Sequence, residues 1–202
     1  PETSYPPLPG DIETDVAVVG GGIVGITTAL LLKQAGYTVA VIEGDRVCSG
    51  VTGHTTAKIT SLHRLIYADL IDRFGSTEAR QYADANQAAI GKIAALVRDY
   101  AIPCSFERRP AYTFAESADD RERVAAEADA ARGLGLPAAF VEEIPLPGRT
   151  YGAVRFADQA QFHPRSYLLH LASLVPEAGS RIFEKTRALA VEDEKGSCRV
   201  RT

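Results

Sequence analysis

The chain has 202 residues, 46% hydrophobic and 24% charged, with a formal net charge of −4, which suits one sizeable core, or one domain and part of a second. The mild acidity argues against nucleic acid or an anionic membrane as partner. Three widely spaced cysteines (Cys48, Cys104, Cys198) with no Cys-x-x-Cys argue against a disulfide framework or a zinc site and fit a reducing cytoplasm.

Val16 to Leu32 contains no charged residue, close to the ~20 apolar residues of a membrane span. It also holds four glycines and two threonines, and it is preceded by Asp11, Glu13 and Asp15. A secretory signal begins with basic residues instead, so neither a span nor a signal is predicted. Val16–Val19 reads as a strand buried on both faces of a parallel sheet. Gly20, Gly21 and Gly22 make a sharp turn, and Ile23 to about Ala35 a helix closed by Gly36. Thr38–Ile42 is a second strand, ending at Glu43. The whole is a βαβ unit of about the usual ~30 residues.

The positions have separate physical tasks. Gly20 permits the tight turn, Gly22 lets backbone approach a pyrophosphate, and Gly25 lets helix lie against strand. The helix N-terminus at Ile23 and Val24 offers N–H groups and a positive dipole end to phosphates. Glu43 can accept hydrogen bonds from ribose hydroxyls and would repel a 2′-phosphate. The pattern therefore predicts a dinucleotide site and disfavours NADP, without separating NAD from FAD.

Further along, Leu62–Gly75 is helix-like, and Ser76 or Thr77 is placed to cap a long helix to about Tyr100. Ile102–Glu116 reads as one or two strands broken at Pro110. Ser117 to Asp120 fits a capping box for a helix that stops at Gly133 and Gly135. Short extended pieces follow, and His163 before Pro164 starts another helix. Composition changes near residues 101 and 150. Gly196–Thr202 reads as a strand in mid-sheet, and the chain, which starts at Pro1 and has no methionine, is expected to be a piece of a longer protein.

After Glu43 the chain continues "SGVTGHTTAKI" (Ser49–Ile59) rather than with another βα repeat. Together with the Gly20-to-Glu43 spacing, this resembles the FAD-dependent oxidoreductases of the D-amino-acid oxidase/glycine oxidase (DAO) superfamily. Gln159–Asp193 resembles a later element of that family, a Pro-started helix, a glycine, then a strand ending in Thr-x-small, here Thr186 and Ala188. The resemblance implies an α/β fold: a Rossmann-like FAD-binding domain with a parallel sheet, plus part of an inserted α+β substrate domain. It places FAD-binding segments at residues 11–100 and 150–202, incomplete at the C-terminal side, and the substrate segment at 101–149.

The resemblance also implies site residues. The loop from Gly44 through Ser49, Gly50, Thr52, His54, Thr55, Thr56 and Ala57 wraps the cofactor towards its ring, with Lys58 as a source of charge, and Ala188 contacts the adenine end. In some amine-oxidising relatives a histidine in a context like that of His54 carries the flavin covalently. The implied reaction is oxidation of the C–N bond of an amine or amino acid by hydride transfer to flavin N5, with O2 or an iron–sulfur or other carrier as electron acceptor. A subgroup with a C-terminal Rieske module shares the loop's appearance. Arg108, Arg109 and Tyr112 are candidates for holding a substrate carboxylate. No catalytic side chain is marked, and no Ser-His-Asp set or metal-ligand cluster is apparent. The alternatives are an NAD-dependent dehydrogenase and a non-catalytic nucleotide-binding fragment.

Overall fold

A computed structural model describes residues 3–50, 55–148 and 150–202. The elements in chain order are β1 (Val16–Val19), α1 (Ile23–Gln34), β2 (Val39–Ile42), β3 (Lys58–Ile59), α2 (Tyr67–Phe74), α3 (Ser76–Asp99) and β4 (Glu107–Phe114). There follow α4 (Ala118–Gly133), β5 (Ala138–Val141), β6 (Ala153–Gln161), α5 (Pro164–Ser173), β7 (Arg181–Phe183), β8 (Ala190–Glu194) and β9 (Ser197–Arg201). They fall into two compact units, Pro1–Thr56 with His163–Thr202, and Ala57–Phe162. These limits lie away from the composition changes near 101 and 150. Strand pairing sets them, because β3 hydrogen-bonds to the far end of β6.

The first unit holds a parallel sheet in the order β1-β2-β7. Its central strand β2 is buried throughout, as a strand covered on both faces must be. β1 departs from the sequence expectation. Its residues alternate between half-buried and exposed, and Val19 is 55% exposed. The reason is position: among the described residues β1 pairs only with β2 and is the sheet's edge. Ile26, Ala29 and Leu30 of α1 are buried, and α1 packs against α5, whose Tyr167, Leu168, Leu171 and Ala172 are also buried. Each large aliphatic side chain so buried contributes about 1.5–3 kcal/mol.

Local signals end these helices as read. Gly36 takes φ +93° beyond α1, and α5 begins with Pro164 behind His163, whose Nδ1 accepts the Ser166 N–H at 3.2 Å. Residues Ser197–Arg201 pair with β8 in an antiparallel hairpin turning at Gly196, rather than lying in mid-sheet among the described residues. The N-terminal ends of β1 and β2, opposite the carboxyl ends, are tied by Asp15. Its Oδ2 accepts both the Thr38 N–H and the Thr38 hydroxyl at 2.7 Å, and those bonds hold its carboxyl below the usual carboxylate range.

In the second unit β6 is central. β4 pairs along one side, and β5 and β3 along successive halves of the other, all antiparallel. Pro110 does not break the strand; the register shifts there, between Arg109 and Ala111. Val154 and Phe156 point from β6 into a core with Tyr67, Val124 and Ala128 of the helices. The Tyr67 ring stacks on Phe156 at 5.9 Å, and its hydroxyl donates to the Ser61 carbonyl at 2.6 Å. Ser117 caps α4 as its sequence predicts, accepting the Asp120 N–H. By contrast α3 is capped by Gly75 at φ +89°, without a side-chain bond from Ser76 or Thr77.

The start of α2 depends on a residue far away in sequence. The fully buried Glu127 of α4 accepts the N–H groups of Ile66, Tyr67 and Ala68 at 2.8–3.0 Å. Three free N–H groups and the positive end of the helix dipole meet one carboxylate. That is why α2 begins at Tyr67 and not at Leu62.

Removing this carboxylate with Glu127→Ala strands those donors, and a loss of about 2–4 kcal/mol is expected in urea unfolding; Glu127→Gln, which keeps one acceptor oxygen, should lose less. Asp15 gives a pH-dependent expectation. Its folded pKa is depressed, so its contribution is present above the unfolded carboxylate range and lost as pH falls through the folded value. Wild type should therefore be more stable than Asp15→Ala at neutral pH, with the gap closing below about pH 4 in parallel denaturation curves.

Candidate cofactor site

The site lies in the first unit, at the carboxyl ends of β1 and β2, where an open α/β sheet presents ligands. Gly20 leaves β1 at φ +107°, and its N–H donates to the Ile42 carbonyl at 2.8 Å. A Cβ on Gly25 would stand 1.9 Å from the Gly20 carbonyl oxygen, so only glycine lets α1 start this close to the strand. Gly22 is the N-cap in extended conformation. Val24 in the first turn is 76% exposed, so that helix end is open.

Glu43 is half-buried beside this turn. Its Oε2 accepts the Gly21 N–H at 2.6 Å, and its Oε1 accepts the Asp45 N–H at 2.7 Å. The loop beyond folds back, with Cys48 N–H donating to the Gly21 carbonyl at 3.3 Å. The segment after β7 runs alongside. Thr186 N–H donates to the Glu43 carbonyl and Lys185 N–H to the Asp45 carbonyl, each at 2.9 Å, and Gly44 faces the backbone of Arg187. Lys185 also pairs with Asp45 and holds that carboxyl below its usual range. The buried Glu184 accepts the Val47 N–H at 2.8 Å, the Tyr5 N–H at 3.0 Å and the Thr3 hydroxyl.

Tertiary folding thus gathers Gly20, Gly22, Ile23, Val24, Gly25, Glu43 and Gly44 at one place, with the Thr186–Ala188 segment beside them. Ser49 and Gly50 end the described part of the loop, both exposed. Thr52 and His54 lie outside the described residues. Thr55 and Thr56 are exposed, while Ala57, at φ +66°, opens the second unit, where Lys58 is exposed on β3. A cleft of about 300 Å³ joins Thr3, Asp45, Val47, Cys48, Arg165 and Lys185. The Asp45–Lys185 pair and Arg165 were missed in the sequence reading, because nothing local links residues so far apart in the chain. Burial pushes the Cys48 thiol up, which suits a packing role.

The carboxylate candidates fare differently. Arg108 donates to the Asp158 carbonyl at 2.6 Å and lies over the Phe106 ring, and Arg109 is paired with Glu107. Tyr112 is half-buried on β4 opposite Arg155 of β6, a residue with no motif around it.

Residues 15–202 match the model of the family described as DAO, FAD dependent oxidoreductase. The chain belongs to this family. It is 39% identical over 189 residues to YhfW of Bacillus subtilis, named as a Rieske 2Fe-2S iron–sulfur protein, covering 94% of this chain and 37% of that protein. Over 97 residues, 47% of this chain and 22% of the relative, it is 33% identical to gamma-glutamylputrescine oxidoreductase of Escherichia coli. The chain thus spans less than half the length of these relatives. Its fold matches glycine oxidase of Bacillus cereus with a TM-score of 0.67, at 21% identity over 90% of this chain and 49% of that one. It also matches an L-amino acid deaminase of Proteus vulgaris with a TM-score of 0.75, at 16% identity over 98% and 51%.

Family membership decides between the two dinucleotides in favour of FAD. The glycine-lined cradle fits that cofactor, since a Cβ at Gly25 would have no room. Among the described residues no helix is long and apolar enough to cross a membrane.

Gly25→Ala should displace the Gly20 carbonyl at an overpacking cost of about 1–3 kcal/mol and deplete bound FAD. The check is the flavin-to-protein absorbance ratio after purification, with circular dichroism showing whether the fold persists.

Proposed function

We propose that the protein oxidises the C–N bond of an amine or amino acid, with bound FAD accepting a hydride at N5 from the carbon bearing the nitrogen. The 33% identity to gamma-glutamylputrescine oxidoreductase, within the DAO family, carries this reading. Imine product released into water hydrolyses there. No side chain of this chain needs to act as base if the amine arrives neutral, which agrees with the lack of a marked catalytic set in the sequence.

The chain's own residues would bind and orient. Gly20, Gly22 and Gly25, with the first turn at Ile23 and Val24, hold the pyrophosphate at the positive end of α1. Glu43 and Gly44 hold the ribose. The carboxylate is already aimed by the Gly21 and Asp45 N–H groups, and its remaining lone pairs are free to accept. Ala188 serves the adenine end. Ser49, Gly50, Thr52, His54, Thr55, Thr56 and Ala57 line the cofactor towards its ring, where small side chains allow close backbone approach. The 57–162 unit, larger than the expected 101–149 segment, supplies substrate contacts. For reoxidation, the similarity to YhfW supports an iron–sulfur carrier, with O2 as the other acceptor.

The test is anaerobic titration of the full-length, FAD-loaded protein with a panel of amines and amino acids. Bleaching of the flavin absorbance by at least one of them is expected. A panel that leaves the spectrum unchanged overturns the C–N assignment.

A further inference from the structure

We propose that the segment Thr3–Leu8 is a strap that retains bound FAD, with the buried Glu184 as the positioning residue to which it is fastened. This rests on the assignment of Glu43, Gly44 and Ala188 to the ribose and adenine end, and not on the reaction.

The strap's own sequence sets its shape. Pro6, Pro7 and Pro9 follow Tyr5 and flank Leu8. Such a run favours polyproline II, which repeats every three residues and has no internal hydrogen bonds. From Tyr5 to Pro9 only Tyr5 and Leu8 have a backbone N–H to give. They stand three apart, so one face carries both donors. Tyr5 and Leu8 are half-buried and the three prolines are exposed, as that repeat requires.

Both donors meet the same partner segment. The Tyr5 N–H reaches Glu184 Oε2 at 3.0 Å, and the Leu8 N–H reaches Thr186 Oγ1 at 3.0 Å. The Thr3 hydroxyl donates to Glu184 Oε1, and the Glu184 N–H donates to the Pro6 carbonyl at 3.3 Å. These bonds join the strap to the three residues that follow β7.

The other side of that segment faces the cofactor loop. Thr186 gives its N–H to the Glu43 carbonyl and Lys185 to the Asp45 carbonyl. Glu184 Oε1 also accepts the Val47 N–H at 2.8 Å. Residues 184–186 thus lie between strap and loop, and one carboxylate bridges the two. Glu184 is only 2% exposed, and a charge so buried is costly without its donors. Loosening the strap therefore frees the loop that carries Glu43 together with the segment that carries Ala188. FAD then binds only the fraction of molecules in which both are in place, and its apparent affinity falls by that fraction. The prolines lower the entropy lost in holding the strap down.

The experiment follows FAD release from full-length, FAD-loaded protein as the rise in free-flavin fluorescence after dilution, beside urea unfolding of each variant. Thr3→Val and Leu8→Pro each remove one strap donor, and each should speed release by about tenfold. Thr3→Ser keeps the hydroxyl and should release FAD at the wild-type rate. Glu184→Gln turns an amide NH2 towards strap or loop donors and should release it faster still. Ser180→Ala is the control for plain destabilisation. Ser180 Oγ accepts the Val39 N–H at 3.0 Å at the opposite end of β7, so its loss should lower the urea midpoint without speeding release. Release unchanged in Thr3→Val and Leu8→Pro, or sped equally by Ser180→Ala, overturns the strap. Glu43→Ala separates the strap from the ribose assignment. If it leaves release unchanged while the strap variants speed it, the ribose assignment falls and the strap stands; the reverse pattern removes the strap alone.

Discussion

The cofactor unit depends on the contact between Gly25 and the Gly20 carbonyl, where a Cβ would come within 1.9 Å. That contact lets α1 begin directly at the end of β1, so the helix's positive end sits at the mouth of the sheet. What surrounds the turn is arranged around it. Gly21 gives its N–H to Glu43 and its carbonyl to Cys48, and Glu43 in turn gives its backbone carbonyl to Thr186. Three chain segments thus meet on a few backbone groups that only glycine leaves accessible.

Carboxylates do much of the remaining positioning. Glu43, Glu127 and Glu184 each accept backbone N–H groups, and each ties together segments remote in sequence. Charge-assisted bonds of this kind are roughly twice as strong as neutral ones. Carboxylates already committed to backbone donors are aimed and held, which suits ligand orientation and structure more than proton transfer. This agrees with a reaction in which the protein mainly binds and orients and the cofactor carries the chemistry.

The parts of the fold legible in the sequence were those decided by neighbours. The βαβ unit, the Ser117 cap, the Pro164 start of α5 and the stop at Gly36 all follow from residues within a turn of one another. The flavin reading came from the Ser49–Ala57 loop taken together with the glycine spacing, and the family match bears it out. Less legible were features whose cause sits elsewhere in the chain. β1 reads as fully buried but is an edge. The helix-like run from Leu62 shortens to Tyr67 because Glu127 arrives from α4. The compact units close on β3–β6 pairing rather than on a change of composition.

The same division holds for the binding residues. By itself the sequence determined a glycine turn followed by an acid at the next strand end, the pattern expected of a dinucleotide site, because both parts lie within one βαβ unit. Only the tertiary structure decided which arginines are engaged. Arg108 and Arg109 stand out as a pair in the sequence, yet a carbonyl and a carboxylate occupy them. Arg155 has no motif around it, and strand pairing sets it opposite Tyr112. Whether a charge has a partner is a property of cross-strand neighbours, and the order of residues along the chain does not contain it.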